Sequence, residues 1–453
     1  MLTSPRRLLV LDDDPTGSQC VSDMPVAFKE DAALLAQTLA DEGSSCFVLT
    51  NTRALDEADA IAKNQRIVAG VLKELGEQVK AGGLHLVSRS DSTLRGHVIA
   101  EPNALADTLA EAGIETDVFL FCPAMLEAGR FTEGDVHYAM VDGQAVLVEH
   151  TDFAKDATFG YHTSHLAAFL EEKSGGQVKA DQVLSLSLED IRQGGVELVR
   201  QKLAGASNRQ WVIVNSTDYS DMEVVADAVT QLEAEGKVFI SRCGPSFVRP
   251  LAGQQGAEVL TPESIKLDSG RLPHGLLVVG SHVGLTTAQL AEVQAKSGLA
   301  EFELQVEKLL DEAHRAEHID AVVAAVRQQL ETQDCVVYTS RTLISTDDPA
   351  ESLAIARSVS DAVVEVVQKV RTVLPAWVIA KGGITSHEVA HRGLGIRLAR
   401  AEGQFFPGQI SLFTPLDAPA EVLGNPYVVF PGNVGSKQAL ADVVARLKSA
   451  TAA

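Results

Sequence analysis

The feature that most constrains the fold of this chain is the alternation of short apolar runs with longer amphipathic segments. Residues 8–11 and 118–121 are typical of the runs, which are rich in β-forming side chains, and residues 221–235 are typical of the helical pattern between them. This alternation favours an α/β architecture with largely parallel sheets. The other predicted strands are residues 46–50, 84–88, 211–215, 238–241, 276–279, 335–339, 377–380, 410–413 and 427–430, and the other predicted helices are residues 31–41, 286–296, 350–370 and 437–448.

Chain length and one interruption of the pattern predict two domains. A single hydrophobic core stops growing at roughly 250 to 300 residues, and this chain has 453. Pro262, Gly270, Pro273 and Gly275 interrupt the periodic pattern and supply turn residues. We therefore expect an N-terminal domain over residues 1–262 and a C-terminal domain over residues 275–453, with an active-site cleft between them.

Charge and hydropathy limit the classes of partner. A net charge of -23 repels the phosphate backbone of nucleic acids, which binds clustered lysine and arginine side chains. No apolar run approaches the ~18 residues of a membrane helix, and the apolar stretch after Arg6 and Arg7 is too short for a signal peptide. Five scattered cysteines without a C-x-x-C pair fit reduced thiols. We expect a cytoplasmic protein without nucleic-acid or membrane partners, and a homo-oligomer is compatible with these observations.

The first predicted strand ends in three consecutive carboxylates, Asp12, Asp13 and Asp14. Ligands of open α/β sheets bind outside the carboxyl ends of the strands. Three adjacent like charges are unfavourable unless a cation or a shared proton neutralises them, and this favours a functional site. The alternative is a solvated acidic turn in which Asp14 or Thr16 caps the next segment.

The same segment also fits a haloacid-dehalogenase-type phosphatase. In that hypothesis Asp12 is the nucleophile, Asp14 is the acid and base, and residues 47–51 resemble the second motif of those enzymes. Such a phosphatase also needs a later strand that ends in a Gly-Asp acidic pair for Mg²⁺. The sequence offers only Asp347 and Asp348, in a polar stretch, so this remains the weaker hypothesis.

A second polar turn, residues 88–97, follows the strand predicted at residues 84–88. Arg95 carries the planar fork that binds carboxylates in a bidentate manner, and Asp91 is suited to orient it or to act as a general base. Arg53 follows the strand at residues 46–50 and would approach from the neighbouring strand end. The alternatives are that Asp91 only caps a helix and that Arg53 is an ordinary surface arginine.

Three strand-to-helix turns of the second half are rich in glycine and hydroxyl side chains: residues 280–286, 381–386 and 431–436. Glycine lets the backbone approach a ligand closely, and the N–H groups that open a helix bind phosphate oxygens. None of the three turns matches the P-loop or the dinucleotide fingerprint. Each turn alone fits a structural role, but three in one domain favour nucleotide phosphates.

A zinc-protease pattern must also be weighed, because His387, Glu388 and His391 satisfy H-E-x-x-H. The pattern begins directly after the glycine turn at residues 381–386, at the start of the helix assigned to phosphate. With twelve histidines in the chain a chance match is plausible, so a zinc hydrolase is the least favoured alternative.

Four of these motifs together resemble the four-carbon acid sugar kinase family. They are Asp-Asp-Pro-Thr-Gly at residues 13–17, Asp-Ser-Thr-Leu-Arg-Gly at 91–96, Lys-Gly-Gly-Ile-Thr-Ser at 381–386 and Pro-Gly-Asn-Val-Gly at 431–435. The resemblance covers nearly the whole chain. It implies an N-terminal domain that binds a sugar acid such as threonate, erythronate or 3-oxo-tetronate, and a C-terminal domain that binds ATP with Mg²⁺.

The resemblance also implies which residues bind each ligand. For the sugar acid they are Asp13, Asp14, Arg53, Ser90, Asp91, Ser92, Thr93 and Arg95. For ATP they are Ser281, Gly382, Gly383, Ile384, Thr385, Gly432 and Gly435. No metal-binding residue of the chain is predicted.

For catalysis we expect Arg53 and Arg95 to hold the carboxylate of the acid, while Asp13, Asp14 or Asp91 accepts the proton of the attacking hydroxyl. We take Asp13, Asp91 and Arg95 as the catalytic set. A sensor that binds both ligands without turnover is the remaining alternative.

Overall fold

The computed structural model describes residues 6–256, 259–341 and 349–451. The chain divides into two compact units, Met1–Ala257 and Glu258–Ala453. Each unit is an α/β structure, as the alternation of strands and helices predicts. Asp347 and Asp348, which entered the phosphatase hypothesis, lie outside the described residues.

The first unit begins with a strand that is buried along its whole length. Its strands are β1 (Arg7–Asp12), β2 (Met24–Ala27), β3 (Ser45–Leu49), β4 (Leu84–Arg89), β5 (Val118–Cys122), β6 (Arg130–Glu133), β7 (Val136–Val141), β8 (Gln144–Leu147), β9 (Leu184–Leu186), β10 (Gln210–Val214) and β11 (Phe239–Cys243). Its helices are α1 (Ala32–Thr38), α2 (Glu57–Leu75), α3 (Ala100–Glu111), α4 (Leu166–Lys173), α5 (Leu188–Arg192), α6 (Gly195–Ala204), α7 (Tyr219–Ala234) and α8 (Pro245–Leu251).

The main sheet of this unit has the order β2-β3-β1-β4-β11-β5-β10-β9, and every pairing in it is parallel. β1 lies in the interior, where both faces of a parallel sheet are covered, and this explains its continuous apolar run. The carboxyl ends of β1, β3, β4 and β11 therefore meet at one edge. The predicted acidic turn and the turn after β4 both leave from that edge.

β6, β7 and β8 form a separate antiparallel sheet in residues 130–147. This stretch showed little periodicity in the sequence, and its two hairpins turn at Gly134 and Gly143, both with positive φ. The small sheet is attached to the main sheet through an antiparallel bridge between Thr132 and Ser216. Arg130, its first residue, donates to Ser92 of the turn that follows β4.

The second unit has a mixed sheet with the order β13-β14-β12-β15-β18-β17-β16. Its strands are β12 (Leu276–Val279), β13 (Ala300–Leu304), β14 (Cys335–Thr339), β15 (Val378–Lys381), β16 (Leu398–Phe406), β17 (Gln409–Asp417) and β18 (Tyr427–Phe430). Its helices are α9 (Gly284–Lys296), α10 (Val306–Leu310), α11 (Arg315–Gln329), α12 (Pro349–Val370), α13 (Gly383–Glu388) and α14 (Ala439–Thr451).

The pairings from β13 to β18 are parallel, and β18, β17 and β16 pair antiparallel. Leu260 and Ile265 pack into the core of this unit, so the chain after residue 258 already belongs to it. No helix in the described part of the chain combines the length and the apolar content needed to cross a bilayer.

Candidate functional site

The strand register brings the polar turns of the first unit together. Asp12 at the end of β1 lies opposite Leu49 of β3 and Arg89 of β4, and Arg89 lies opposite Cys243 of β11. The residues that follow these positions leave the sheet side by side. The sequence predicted that the turns after β1, β3 and β4 lie close together, but it did not predict that the end of β11 lies beside them.

Asp12 is fully buried and is held in place on both sides. Its Oδ1 accepts hydrogen bonds from Nη1 of Arg89 at 2.6 Å and from the backbone N–H of Asp14 at 3.0 Å. Its Oδ2 has no hydrogen-bond partner in the described part of the chain and faces Gly17 so closely that a Cβ there would lie 2.0 Å away. Burial raises the pKa of Asp12 to about 7, against the opposing effect of Arg89. This carboxylate is covered by its own loop, which does not suit the nucleophile of a phosphatase.

Asp13 is the carboxylate at which three turns converge. Its Oδ1 accepts from Arg53, which follows β3, and its Oδ2 accepts from the hydroxyl of Ser90 at 2.6 Å. Gly96 lies against the same group with a φ of +113°, and a Cβ there would approach Oδ2 to 2.9 Å. Residues 13, 53 and 90 were predicted separately, and the structure brings them into direct contact.

Asp14 forms hydrogen bonds within its own turn and also interacts electrostatically with neighbouring arginines. Its Oδ1 accepts from the backbone N–H and the hydroxyl of Thr16, at 2.8 and 2.6 Å, and its Oδ2 lies 3.5 Å from Arg53. Burial acts to raise the pKa of Asp14, but Arg53, Arg89 and the Thr16 hydrogen bonds outweigh it and hold the pKa below its usual value. Asp14 therefore closes its own turn, as the capping alternative proposed, and also neighbours the arginine of the site.

The turn after β4 carries a second carboxylate and its arginine. Nε of Arg95 donates to Oδ2 of Asp91 at 2.7 Å, and the hydroxyl of Thr93 donates to the same oxygen. Burial acts to raise the pKa of Asp91, yet Arg53 and Arg95 lower it overall, so the group is ionised at neutral pH. Asp91 orients Arg95, one of the two roles that the sequence predicted for it.

Sequence reasoning missed Arg242, the penultimate residue of β11. It is buried, its Nη2 donates to the hydroxyl of Ser90 at 2.7 Å, and its Nη1 donates to Ser88 and Glu101. Glu101 in turn accepts from Thr52 of the turn after β3. This network fixes the hydroxyl that contacts Asp13. The signal in the sequence that could have identified Arg242 is its position directly after the strand predicted at residues 238–241.

The segment between β5 and α4, which contains the small antiparallel sheet, supplies three more residues that the sequence did not predict. Nε2 of His137 lies 2.8 Å from the carbonyl of Ser92, the hydroxyl of Tyr161 donates to the carbonyl of Thr93 at 2.8 Å, and Nη1 of Arg130 donates to the hydroxyl of Ser92 at 3.2 Å. Burial lowers the pKa of His137 to about 4, so its imidazole is neutral. Since a carbonyl only accepts, Nε2 carries the proton and Nδ1 accepts from Thr132.

The second unit contains a pocket of about 610 Å³ at the carboxyl ends of its parallel strands. This volume is in the range of small-molecule sites. The wall from α12 is largely apolar, and the opposite wall consists of the turns after β12, β15 and β18. The predicted nucleotide residues that line it are Ser281, Gly382, Gly383, Ile384, Thr385 and Gly432, whereas Gly435 is absent from its lining.

Glycine is required where two of these turns meet. Gly382 has a φ of +125°, and a Cβ there would lie 2.9 Å from Cβ of Ser281 and 3.0 Å from Oγ1 of Thr385. A Cβ at Gly280 would lie 2.5 Å from the same hydroxyl. Glycine thus lets these turns pack closely on one another, and Gly383, Ile384 and Thr385, whose N–H groups open α13, line the pocket as in phosphate sites at helix starts. The pocket therefore offers an apolar wall for a base and a glycine-rich wall for phosphates.

Lys381 lies beneath these turns and is fully buried. Its Nζ donates to the carbonyls of Pro431 and Gly432, the latter at 2.9 Å, and lies 4.3 Å from the centre of the Phe430 ring. Burial lowers its pKa to about 7. Within the described residues no carboxylate lies within ion-pair distance of this amino group, which suits the neighbourhood of an anionic ligand.

The H-E-x-x-H segment does not form a zinc centre in the described part of the chain. Glu388 contacts His387 and Arg392, and the helix changes to a π-helix at Val389–Leu394, in which the ring of His391 stays beside that of His387 with 5.9 Å between the ring centres. Among residues 6–256, 259–341 and 349–451, no group of three or more metal-ligating side chains is found.

Two family models together match most of the chain. The sugar-binding N-terminal domain matches residues 8–251, and the nucleotide-binding C-terminal domain matches residues 276–440. The chain is also 27% identical over 288 residues to a D-erythronate kinase of Heliobacterium modesticaldum (strain ATCC 51547 / Ice1). That alignment covers 63% of this chain and 58% of the length of the kinase.

Two crystal structures share the fold over nearly the full length. A Haemophilus influenzae protein is 17% identical with a TM-score of 0.65, and the match covers 96% of this chain and 99% of that one. A protein from Salmonella typhimurium LT2 is 15% identical with a TM-score of 0.70, covering 97% of this chain and 98% of that one. At these identities the likeness concerns the fold alone.

Proposed function

Because the chain belongs to the four-carbon acid sugar kinase family, we propose that it transfers the γ-phosphoryl group of ATP to a hydroxyl of a small sugar acid. The candidate acids are those with four carbons, namely erythronate, threonate or 3-oxo-tetronate. The observation that carries the proposal is the glycine-lined pocket of the second unit, because a phosphatase that acts through Asp12 has no need of it.

The acid would bind at the first unit's polar turns, where arginines accompany ionised carboxylates. Arg95 and Arg53 supply the positive charge for the carboxylate of the substrate, and hydroxyls of the Ser90–Arg95 turn are available for its hydroxyl groups. Asp13 and Asp91 are the candidates that accept the proton of the attacking hydroxyl. Its oxygen then forms a bond to the γ-phosphorus, the bond from that phosphorus to the β,γ-bridging oxygen breaks, and ADP leaves.

The nucleotide would bind at the second unit's pocket. The apolar side chains of α12, such as Ile355 and Val359, suit the adenine ring, and the turns at Ser281, Gly382 and Gly432 suit the phosphates. Mg²⁺ neutralises charge on the transferring phosphoryl group when it is bound, and it usually takes one or two carboxylates together with phosphate oxygens. Glu388 is the carboxylate among the described residues that line the pocket. ATP as donor agrees with a cytoplasmic location.

The proposal is tested by measuring acid-dependent release of ADP. The purified protein is incubated with ATP, Mg²⁺ and, separately, erythronate, threonate and 3-oxo-tetronate of both configurations. We expect ADP release with at least one acid and none with the matching polyol. No release with any acid, together with no measurable binding of ATP, contradicts the kinase. Binding of both ligands without turnover supports the sensor instead.

A further inference from the structure

The geometry points to Arg130, the first residue of β6, as a specificity-determining residue that binds the carboxylate of the substrate beside Arg95. This inference rests on the proposed function and extends it, because it explains how an acid is told apart from a neutral sugar alcohol. Arg130 belongs to the small antiparallel sheet of β6, β7 and β8 rather than to any of the predicted motifs.

The balance of charges in the first unit's site singles out this residue. Arg89 is paired with Asp12, Arg53 with Asp13 and Asp14, Arg95 with Asp91 and Asp156, and Arg242 with Glu101. Arg130 has no such partner. Within the described residues no carboxylate lies within ion-pair distance of its guanidinium, whose Nε has no hydrogen-bond partner at all.

The contacts that Arg130 does make hold it at the substrate turn. Its Nη1 donates to the hydroxyl of Ser92 at 3.2 Å and lies 3.7 Å from the sulfur of Met125. Its guanidinium carbon lies 5.5 Å from the centre of the Phe153 ring, and that of Arg95 lies 5.1 Å from the same ring. One aromatic side chain thus keeps two guanidinium groups in the same neighbourhood.

Arg95 has two carboxylates within ion-pair distance, Asp91 and Asp156, whereas Arg130 beside it has none among the described residues. A half-buried guanidinium without a contacting counter-ion is unfavourable, and burial lowers the pKa of Arg130 against the opposing effect of the more distant Asp91. A carboxylate that arrives with the substrate removes this cost and can accept from the unused donors of Arg130. A hydroxymethyl group at the same place offers no charge. The arrangement therefore favours the acid.

A purely structural role is the alternative, since Arg130 also packs on Phe153 and contacts Ser92. A structural role predicts equal effects on charged and neutral substrates, whereas a carboxylate contact predicts an effect that depends on the charge of the substrate. Arg130→Lys keeps the charge but loses the fork, and Arg130→Met keeps the packing and loses the charge. Arg200→Met, at an arginine of α6 paired with Glu235, is the matched control.

The experiment measures KM and kcat for the preferred four-carbon acid and for its carboxamide. For Arg130→Met we expect KM for the acid to rise about 10- to 100-fold, the effect of losing a charged hydrogen bond. KM for the carboxamide should change less than about threefold, and Arg130→Lys should lie between. Equal loss for both substrates, or no loss for either, overturns the inference. Absence of turnover in the wild-type protein overturns the proposed function instead.

Discussion

Arg89 and Asp12 form a buried ion pair, with Nη1 of the arginine 2.6 Å from Oδ1 of the aspartate. The second oxygen of Asp12 is covered by Gly17. In the kinase account this pair supports the loop that carries Asp13, and Asp12 does not touch the substrate. Replacing one partner of a buried pair leaves the other charge uncompensated.

We therefore expect Asp12→Asn to lower the free energy of unfolding by about 2 kcal/mol or more while kinase turnover survives at temperatures where the protein is folded. The urea midpoint and ADP release measure the two effects. Asp152→Asn is the control, because that side chain is 96% exposed. Complete loss of turnover with an unchanged midpoint would place Asp12 in the chemistry and contradict the account.

Gly382→Ala tests the glycine-lined wall of the second unit. The φ of +125° disfavours any Cβ, and the new methyl group would meet Ser281 at 2.9 Å. We expect the dissociation constant of ATP, measured by calorimetry, to rise roughly 10-fold or more, which is ~1.4 kcal/mol. Gly205→Ala is the control, since φ there is negative and a Cβ would lie 3.6 Å from its nearest neighbour, the carbonyl oxygen of Lys202. Unaltered ATP affinity contradicts the assignment of phosphates to this turn.

Because Lys381 is buried near the proposed phosphate site, we expect the protein to take up a proton when it binds nucleotide above neutral pH. Burial lowers its pKa to about 7, so at pH 8 most of the free protein carries a neutral amine. Phosphate charges near Gly432 favour the ammonium form and raise the pKa, so ATP binding at pH 8 should draw a proton from the buffer, and at pH 6 it should not.

Calorimetry in two buffers of different ionisation enthalpy measures this uptake directly. Lys381→Met should abolish it, whereas Lys296→Met, at a surface lysine paired with Glu292, should retain it. ATP binding without proton uptake at pH 8 in the wild-type protein would show that the phosphates do not reach the neighbourhood of Lys381.

Because His137 is buried as a neutral imidazole, we expect the free energy of unfolding to fall at acidic pH. Burial lowers its pKa from 6.5 to about 4, so between these values the unfolded state binds the proton more readily than the folded state. Stability from this residue is complete above pH 6.5 and falls as the pH drops toward 4, by about 3 kcal/mol in all.

The urea midpoint measured from pH 4 to 7 should be less pH-dependent in His137→Gln than in the wild-type protein. His150→Gln, at a histidine whose side chain is 67% exposed, should keep the wild-type slope. Equal slopes in all three proteins would mean that His137 is not held neutral beside Ser92.

The local sequence pattern was enough to predict which residues lie on strands and which lie on the turns directly after those strands. β1 and β4 are short, fully buried runs, and the rule that ligands bind at carboxyl ends led directly to Asp13 and Asp91. The glycine turns at Gly382 and Gly432 were likewise visible, because glycine and hydroxyl residues follow apolar runs there.

Long-range pairing could not be predicted in this way. Arg242 contacts Glu101 from 141 residues away, and nothing local in the sequence marks it as a partner of Ser90. Arg130, His137 and Tyr161 come from a stretch without periodicity, in which Arg130 and His137 lie on a small antiparallel sheet of two short hairpins. The burial of Lys381 depends on packing across β15 and β18, which its glycine motif does not reveal.

Phosphorus NMR of the complete reaction tests the central claim most directly. With ATP, Mg²⁺ and the preferred four-carbon acid, we expect a new phosphomonoester signal that grows in step with ADP, and we expect Asp13→Asn to slow it by about 10²- to 10⁴-fold. Inorganic phosphate as the only new product, or ATP that stays intact with every acid, would contradict the claim that this chain is a sugar-acid kinase.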